Sequence, residues 1–481
     1  MKTRLLLAIA IAMAGMGAAP LVAQTKPIAL SRGEVQKAAQ QHSQIVEEFG
    51  GPADAKLSAY VARVGQRVAA QTGVQGGAQA YTVTTLNSPV LNAFAVPGGY
   101  VYVTRQLLAI MNDEAELASV IGHEMGHVAA KHGQRRQSTS RLGSLGAILI
   151  GAVTGSDLAT QLASQAAQTY VLSYSRGQET QADKLGLRYI AAAGYDPFAT
   201  PRLLSELGAA SDLDDRLNGR DQRSTPGWTR THPLSADRVR KTAALASTMP
   251  AAGQRETDRD RFLAAIEGMI YEDDPAQGII DGQQFLHPGL GLKFTAPRGF
   301  GIENGSDAVT ISGNGGQAQF STGTSNGNLD RYIGEVFRSL TGNGRQIDYR
   351  TYETNVSGIP AAYSTVTAQT QSGQVDVTVF AYRWDAQRAY HFLTLTHAGS
   401  GLGPFREMVG TVARLSPAEA AAVRPRIIHV VQVKPGDTIQ ALADRMAYRD
   451  YKLERFLTLN ALKTDSQLTP GQKVKLVVFG N

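Results

Sequence analysis

The chain of 481 residues predicts a multidomain α+β protein: a mainly helical domain with a small β-sheet, then a β-rich α+β domain, then a small βααβ module. Three observations carry that expectation. At about 150 residues per domain, a chain of this length holds roughly three domains. Hydrophobic residues make up 43% and charged residues 18%, enough to bury a core in each. The periodicity of apolar residues changes character twice along the chain, from helical to strand-like and then to a short mixed unit.

The first segment stands apart. Met1 to about Ala23 has a positive n-region (Lys2, Arg4), an apolar h-region from Leu5 to Ala19, and Leu21-Val22-Ala23 ahead of a cut at Gln24. It reads as a secretory signal peptide, too short to span a bilayer, and places the mature chain in the periplasm of a Gram-negative bacterium. No later run is long and apolar enough for a transmembrane helix. Lys2 and Arg4 supply two of the six net positive charges, so the remainder is too dilute to suggest a nucleic-acid partner. There is no Cys, which excludes disulfides, thiolate metal ligands and a thiol nucleophile. Any metal is left to His and carboxylates.

From Ser31 to about Pro250 apolar residues recur at three and four residues, interrupted by strands at Tyr81–Leu86 and Ala93–Thr104, the latter broken by Pro97-Gly98-Gly99. The first domain is assigned to residues 30–255. From 280 to 416, short β-rich runs alternate with Gly, Asn and Ser turns around one amphipathic helix at Leu329–Leu340. The last module takes residues 428–479.

Chemistry concentrates between Asp113 and His127. Asp113 and Glu116 have the form of a capping box opening a helix with an apolar stripe at Leu117, Val120 and Ile121. His123 and His127 are four apart on that helix, so both imidazoles leave one face and can grip one ion. Glu124 can reach a water beside a Zn2+ ion without ligating it, and take its proton as it attacks a carbonyl. A third ligand is required. His132, five residues beyond His127, lies off the ligand face. Glu179 completes a His-His-Glu set, while Asp183, four residues on along a second predicted helix, fixes the tautomer of a ligand imidazole.

These residues resemble metallopeptidase family forty-eight, the gluzincins that include the HtpX and BepA types and the CAAX-prenyl proteases. The resemblance rests on His123-Glu124-x-x-His127, Glu179-x-x-Ala-Asp183, the preceding Asn92-Ala-Phe-Ala-Val-Pro-Gly-Gly-Tyr-Val-Tyr-Val, and the following Thr231-His232-Pro233. It implies a zincin-type metalloprotease domain with one Zn2+ on His123, His127 and Glu179, and Glu124 as general base. It also implies that Asn92, Ala93, Phe94 and Ala95 form an exposed edge pairing with extended substrate, where the residues alone suggest a core strand. The resemblance further places His232 beside the metal, either as an oxyanion donor or as a closure of the fourth position. Arg238 is a partner for His232 or simply structural. Ser211–Trp228 reads as a loop over the cleft, and Leu142–Val171 as a helical hairpin between the two metal helices.

Ile428-His-Val-Val-Gln-Val-Lys-Pro-Gly436-Asp437-Thr438, Leu457-Thr-Leu-Asn460 and Leu468-Thr-Pro-Gly-Gln resemble a LysM module, a βααβ unit whose relatives bind peptidoglycan glycan. Tyr448-Arg-Asp-Tyr451 lengthens it where a short turn is expected. Phe285 to Phe300 resembles the first strand pair of PsbP- or Mog-like α/β sandwiches, with His287, His391 and His397 as structural residues.

The leading expectation is an exported zinc endopeptidase acting on misfolded or stalled envelope polypeptides, near peptidoglycan or the outer-membrane assembly machinery. The alternatives are a chaperone or wall-anchored scaffold with a closed metal site, and a murein hydrolase.

Overall fold

The structure, a computed structural model, describes residues 28–133, 174–217, 228, 232–250, 252–255, 257–305, 308–340, 347–370 and 373–480. The expected signal peptide, the hairpin at 142–171 and residues 218–227 of the expected Ser211–Trp228 loop lie outside the described residues; the loop's first part, residues 211–217, is instead helical, its Leu213 buried as the last turns of a long helix. The architecture is multidomain α+β, in the expected order.

The helical domain opens with α1 (Arg32–Glu48) and α2 (Ala55–Ala69), the latter capped by Asp54, whose carboxylate accepts from the amides of Lys56 and Leu57. A three-stranded sheet follows: β1 (Thr82–Leu86) pairs parallel with β3 (Tyr100–Thr104), and β2 (Ala93–Val96) runs antiparallel on the other side of β3. The β2–β3 turn needs Gly98 and Gly99 at φ of 108° and 90°, a region L side chains avoid. Then come α3 (Arg105–Ile110), α4 (Glu114–Ala129), α5 (Arg176–Ala192), α6 (Ala199–Leu217), α7 (Ala236–Ser247) and α8 (Arg259–Ile266). Helix α4 is buried along its whole length, as a helix enclosed on every face must be. Its cap differs from the expected box: Asp113 accepts from the Glu116 amide, but the Glu116 carboxylate reaches one residue further back, to the Asn112 amide (2.6 Å).

After β4 (Ile270–Tyr271) the β-rich region begins. A small sheet of β5 (Ile279–Asp281), β6 (Gln284–His287) and β7 (Leu292–Thr295) packs with a long antiparallel sheet. That sheet comprises β8 (Gly301–Asn304), β9 (Val309–Gly313), β10 (Gly316–Thr324), β11 (Tyr352–Val356), β12 (Ile359–Thr370), β13 (Gly373–Arg383) and β14 (Arg388–His397), ordered β11-β12-β13-β14-β10-β9-β8. The amphipathic helix α9 (Leu329–Ser339) buries Tyr332, Ile333 and Phe337 against its other face. Two short helices follow, α10 (Arg406–Gly410) and α11 (Pro417–Ala422), with β15 (Ala413–Arg414) between them on the small sheet.

The C-terminal unit is β16 (Arg426–Gln432), α12 (Ile439–Asp444), α13 (Lys452–Leu459) and β17 (Lys473–Phe479). Its hydrophobic residues do not form a separate core. Ile428, Leu442, Phe456 and Leu476 belong to one cluster with Val61, Leu107, Ile121 and Phe262 of the helical domain. Residues outside both expected spans make the joint: α8 packs on α2 and α4, and β4 extends the module's hairpin to the order β17-β16-β4. The lengthened turn contributes here too. The Arg426 and Arg455 guanidinium groups lie over the Tyr448 ring, and both pair with Glu272.

Candidate metal centre

Helices α4 and α5 pack almost backbone to backbone, which sets the site. A Cβ on Gly186 of α5 would lie 2.9 Å from the His123 amide nitrogen, and one on Gly126 of α4 would lie 2.9 Å from the Ala182 carbonyl oxygen. Both distances are too short for a real side chain, so the glycines permit the approach. A complete capping box at Ser175 and Gln178 starts α5, placing Glu179 in its first turn. There the helix dipole favours a carboxylate.

The expected residues converge. One donor atom from each of His123, His127, Glu179 and His232 lies within 4.8 Å of every other, and all four are buried. His123 Nε2 is 3.0 Å from His127 Nε2 and 3.6 Å from Glu179 Oε2. Glu179 Oε1 is 3.4 Å from His127 Nε2. His232 Nδ1 sits 3.1 Å from Glu179 Oε1 and 3.2 Å from His123 Nε2.

Asp183 lies 3.0 Å from His123 Nδ1, so that ring donates there and presents its Nε2 lone pair inward. Arg238 is a partner of both carboxylates rather than of His232. Its Nε and Nη2 donate to the two Asp183 oxygens at 2.9 and 2.8 Å, and its Nη1 lies 2.8 Å from Glu179 Oε2.

Three residues enter that periodicity did not place. His132 sits behind His127, their Nδ1 atoms 2.9 Å apart. His132 stays outside the donor set, in keeping with its expected place off the ligand face, yet it backs a member of that set: α4 ends at Ala129, and a continuous helix no longer governs the positions beyond. Tyr174 stacks on His127 with ring centroids 3.8 Å apart. Trp228 stacks on His232 at 4.6 Å, and its amide donates to the Leu91 carbonyl (2.8 Å) just ahead of β2.

β2 is the outer strand of its sheet among the described residues. The side chains of Asn92, Ala93 and Phe94 are nevertheless buried, Phe94 stacking on Tyr102. Ala95 and Val96 line a pocket with Pro97, His127, Lys131 and Tyr174.

Electrostatics suit a cation. Burial alone would depress His123, but the Asp183 hydrogen bond and the charges of Glu179, Asp183 and Glu124 raise it overall. Burial, reinforced by repulsion from His123 and His232, pushes His127 well down, against the opposing pull of Glu179. Burial opposes the charge on Glu179, yet His232, His127 and His123 hold it far below the ordinary range. Two inward Nε2 atoms 3.0 Å apart beside a carboxylate are the donor set a divalent ion resolves. Both oxygens of Glu124, fully buried, have no hydrogen-bond partner among the described residues.

The comparisons agree. Residues 55–246 match peptidase family M48 and residues 431–477 match the LysM domain. The chain is 29% identical over 212 residues to the mitochondrial metalloendopeptidase OMA1 of Schizosaccharomyces pombe, covering 43% of this chain and 59% of that protein. It is 31% identical over 192 residues to the same-named protein of Arabidopsis thaliana, covering 40% and 36%. It is 31% identical over 198 residues to the beta-barrel assembly-enhancing protease of Yersinia pestis, covering 39% and 38%. The chain thus spans 36% to 59% of the lengths of these three relatives. Residues 55–246 are therefore an M48 peptidase domain and residues 431–477 a LysM domain.

Proposed function

We propose that this protein is an exported zinc-dependent endopeptidase that hydrolyses peptide bonds of misfolded or stalled envelope proteins in the periplasm. The observation that carries the reading is the buried convergence of His123, His127 and Glu179 beside a Glu124 carboxylate that has no hydrogen-bond partner among the described residues. These three residues would hold one Zn2+. A zinc ion so held supplies Lewis acidity, polarising a peptide carbonyl and lowering the pKa of water to about 7. Glu124 then accepts the proton of the attacking water and delivers it to the leaving amine. Asp183 and Arg238 keep His123 and Glu179 in register. His232 closes the donor set in this conformation, its Nε2 3.5 Å from Glu124 Oε1.

Asn92, Ala93, Phe94 and Ala95 are the segment that would pair with extended substrate. The side chains of Asn92, Ala93 and Phe94 are buried, so recognition there would run through the backbone. The relatives' names support a protease of misassembled proteins, and the LysM domain suggests residence at peptidoglycan. No helix among the described residues is long and apolar enough to cross a membrane.

Glu124→Gln tests the reading. The variant keeps zinc at one equivalent and loses cleavage of unfolded casein. Persistent cleavage would reject Glu124 as the base. Wild type that binds unfolded outer-membrane protein but never cleaves it would favour a chaperone with a closed site.

A further inference from the structure

We propose that His132 is a positioning residue for the metal centre: through Gln181 it fixes the tautomer of His127 and ties the two metal helices together. The inference rests on the metal-site reading above and extends it to a residue outside the donor set.

The geometry starts at the end of α4. Lys131 adopts φ of 56°, a left-handed conformation that a residue with a Cβ takes up at a cost. That reversal folds the chain back, so His132 returns beneath His127 although it is five residues on. His132 is fully buried. Its Nδ1 lies 2.9 Å from His127 Nδ1, and its Nε2 lies 3.1 Å from Gln181 Oε1.

These two contacts assign the protons. An amide oxygen only accepts, so His132 Nε2 carries the hydrogen that meets Gln181. A neutral imidazole bears one N–H, which leaves His132 Nδ1 as an acceptor. His127 Nδ1 must then be the donor, and His127 Nε2 presents its lone pair toward His123 and Glu179. The relay does for His127 what the Asp183 carboxylate does for His123. The two partners differ in charge: one ligand is backed by an anion, the other by a neutral ring. Since Gln181 lies on α5 two residues after Glu179, the relay also anchors the end of α4 to the helix that brings the third ligand. Ligand histidines commonly use their second nitrogen in this way, and losing the partner typically weakens metal binding 10- to 100-fold.

The test uses full-length protein, zinc dissociation constants from chelator competition, the visible spectrum of the Co2+-substituted protein, and the Tm of the metal-free form. His132→Ala is expected to weaken zinc about 10- to 100-fold and to shift the Co2+ bands. His132→Asn supplies an amide oxygen in place of Nδ1 and should recover most of the affinity and the wild-type spectrum. His132→Phe fills the space without an acceptor and should bind as weakly as His132→Ala, even where its Tm recovers. Wild-type affinity and spectrum in His132→Ala would overturn the proposal. So would recovery by Phe and not by Asn, which would make the role one of packing. Wild type that binds zinc but cleaves nothing would fail the endopeptidase reading and leave the relay standing.

Discussion

Lys475 on β17 of the LysM domain donates its ammonium to the carbonyl oxygen of Ala109 at the end of α3, 2.7 Å away and 366 positions earlier in the chain. A second bond reaches the Met111 carbonyl at 2.5 Å. The fully buried cation also faces Glu206 and Glu116, which join the network that caps α4 through Asn112, Asp113 and Arg202. The LysM domain is therefore built into the foundation of the metal helix.

That contact makes stability depend on pH. Burial pushes Lys475 down to about 7, with Glu206 pulling the other way. A base whose folded value is depressed contributes stability that is present above its unfolded value of about 10.4 and is lost as pH falls through its folded value. Glu206 and Glu116 are raised by burial. Their contribution is present below their unfolded value and lost as pH rises through the folded one. Between about pH 10 and 7 the lysine sets the slope, up to about 1.4 kcal/mol per pH unit. Lys475→Met is expected to remove that slope and to cost about 3–5 kcal/mol at neutral pH, because it leaves two carbonyls and a buried carboxylate without their cation. Urea unfolding at several pH values, followed through Trp228 fluorescence in a Trp384→Phe background, measures both. An unchanged slope would reject the assignment.

How much of this was legible in the sequence follows from the range of each interaction. His123, Glu124 and His127 fall within about one helical turn, and Glu179 and Asp183 within another, so spacing together with the family resemblance singled them out. His132 is off the ligand face as its spacing implied, but its place behind His127 was not legible, because a single left-handed residue, Lys131, breaks the helical count. Trp228 and Tyr174 belong to no apolar repeat of the sequence, and their partners depend on the closure of the whole fold. Lys475 was invisible for a different reason. In the alternation Lys473-Val-Lys-Leu it reads as a solvent-facing strand residue, and only the docked surface shows that it faces carbonyls. The βααβ order of the module came from its own turns and apolar runs, whereas its sharing of a core with α2, α4 and α8 left no local trace.

The close packing of α4 on α5 predicts a sharp asymmetry between glycines. Gly186→Ala would place a methyl 2.9 Å from the His123 amide nitrogen and 3.0 Å from the Gly122 carbonyl carbon. The helices must part, at about 1–3 kcal/mol for an overpacked site. Glu179 and Asp183 move with α5 and leave the histidines. Tm and zinc affinity should fall together, the latter by about 10-fold or more, with every ligand still present. Gly208→Ala on α6, where the added methyl meets nothing within 4 Å, is the control and should be neutral or stabilising. Retained zinc affinity in Gly186→Ala would show that the helix spacing does not set the site.

Arg238 spans two carboxylates with three nitrogens, a task a single ammonium cannot repeat. Arg238→Lys should therefore behave as a loss rather than a conservative change. It leaves Glu179 or Asp183 buried with an unmet charge, and zinc affinity or kcat/KM should drop about 10- to 100-fold. Asp183→Asn should give a smaller loss of zinc, since an amide can still accept from His123 Nδ1. If Arg238→Lys binds zinc like wild type, the guanidinium fork is not needed to orient the ligands.

The last prediction concerns His232, whose Nδ1 lies within the donor set and whose ring is held by the Trp228 stack. On the proposed mechanism an imidazole in that place would compete with the water that Glu124 deprotonates, which would make this conformation a resting one. Its anchor is the bond from the Trp228 amide to the Leu91 carbonyl, beside the Asn92–Ala95 segment. Extended substrate arriving on that edge would contend for the same stretch of backbone, which couples binding to release of His232. His232→Ala should then raise basal casein cleavage or self-degradation several-fold at unchanged zinc content. Trp228→Ala should do the same more weakly, since the imidazole remains but loses its stacking partner. If His232 instead donates to the developing oxyanion, His232→Ala should lower kcat by about 10²-fold or more. A loss of that size with zinc retained would reject the resting closure and make His232 a catalytic residue.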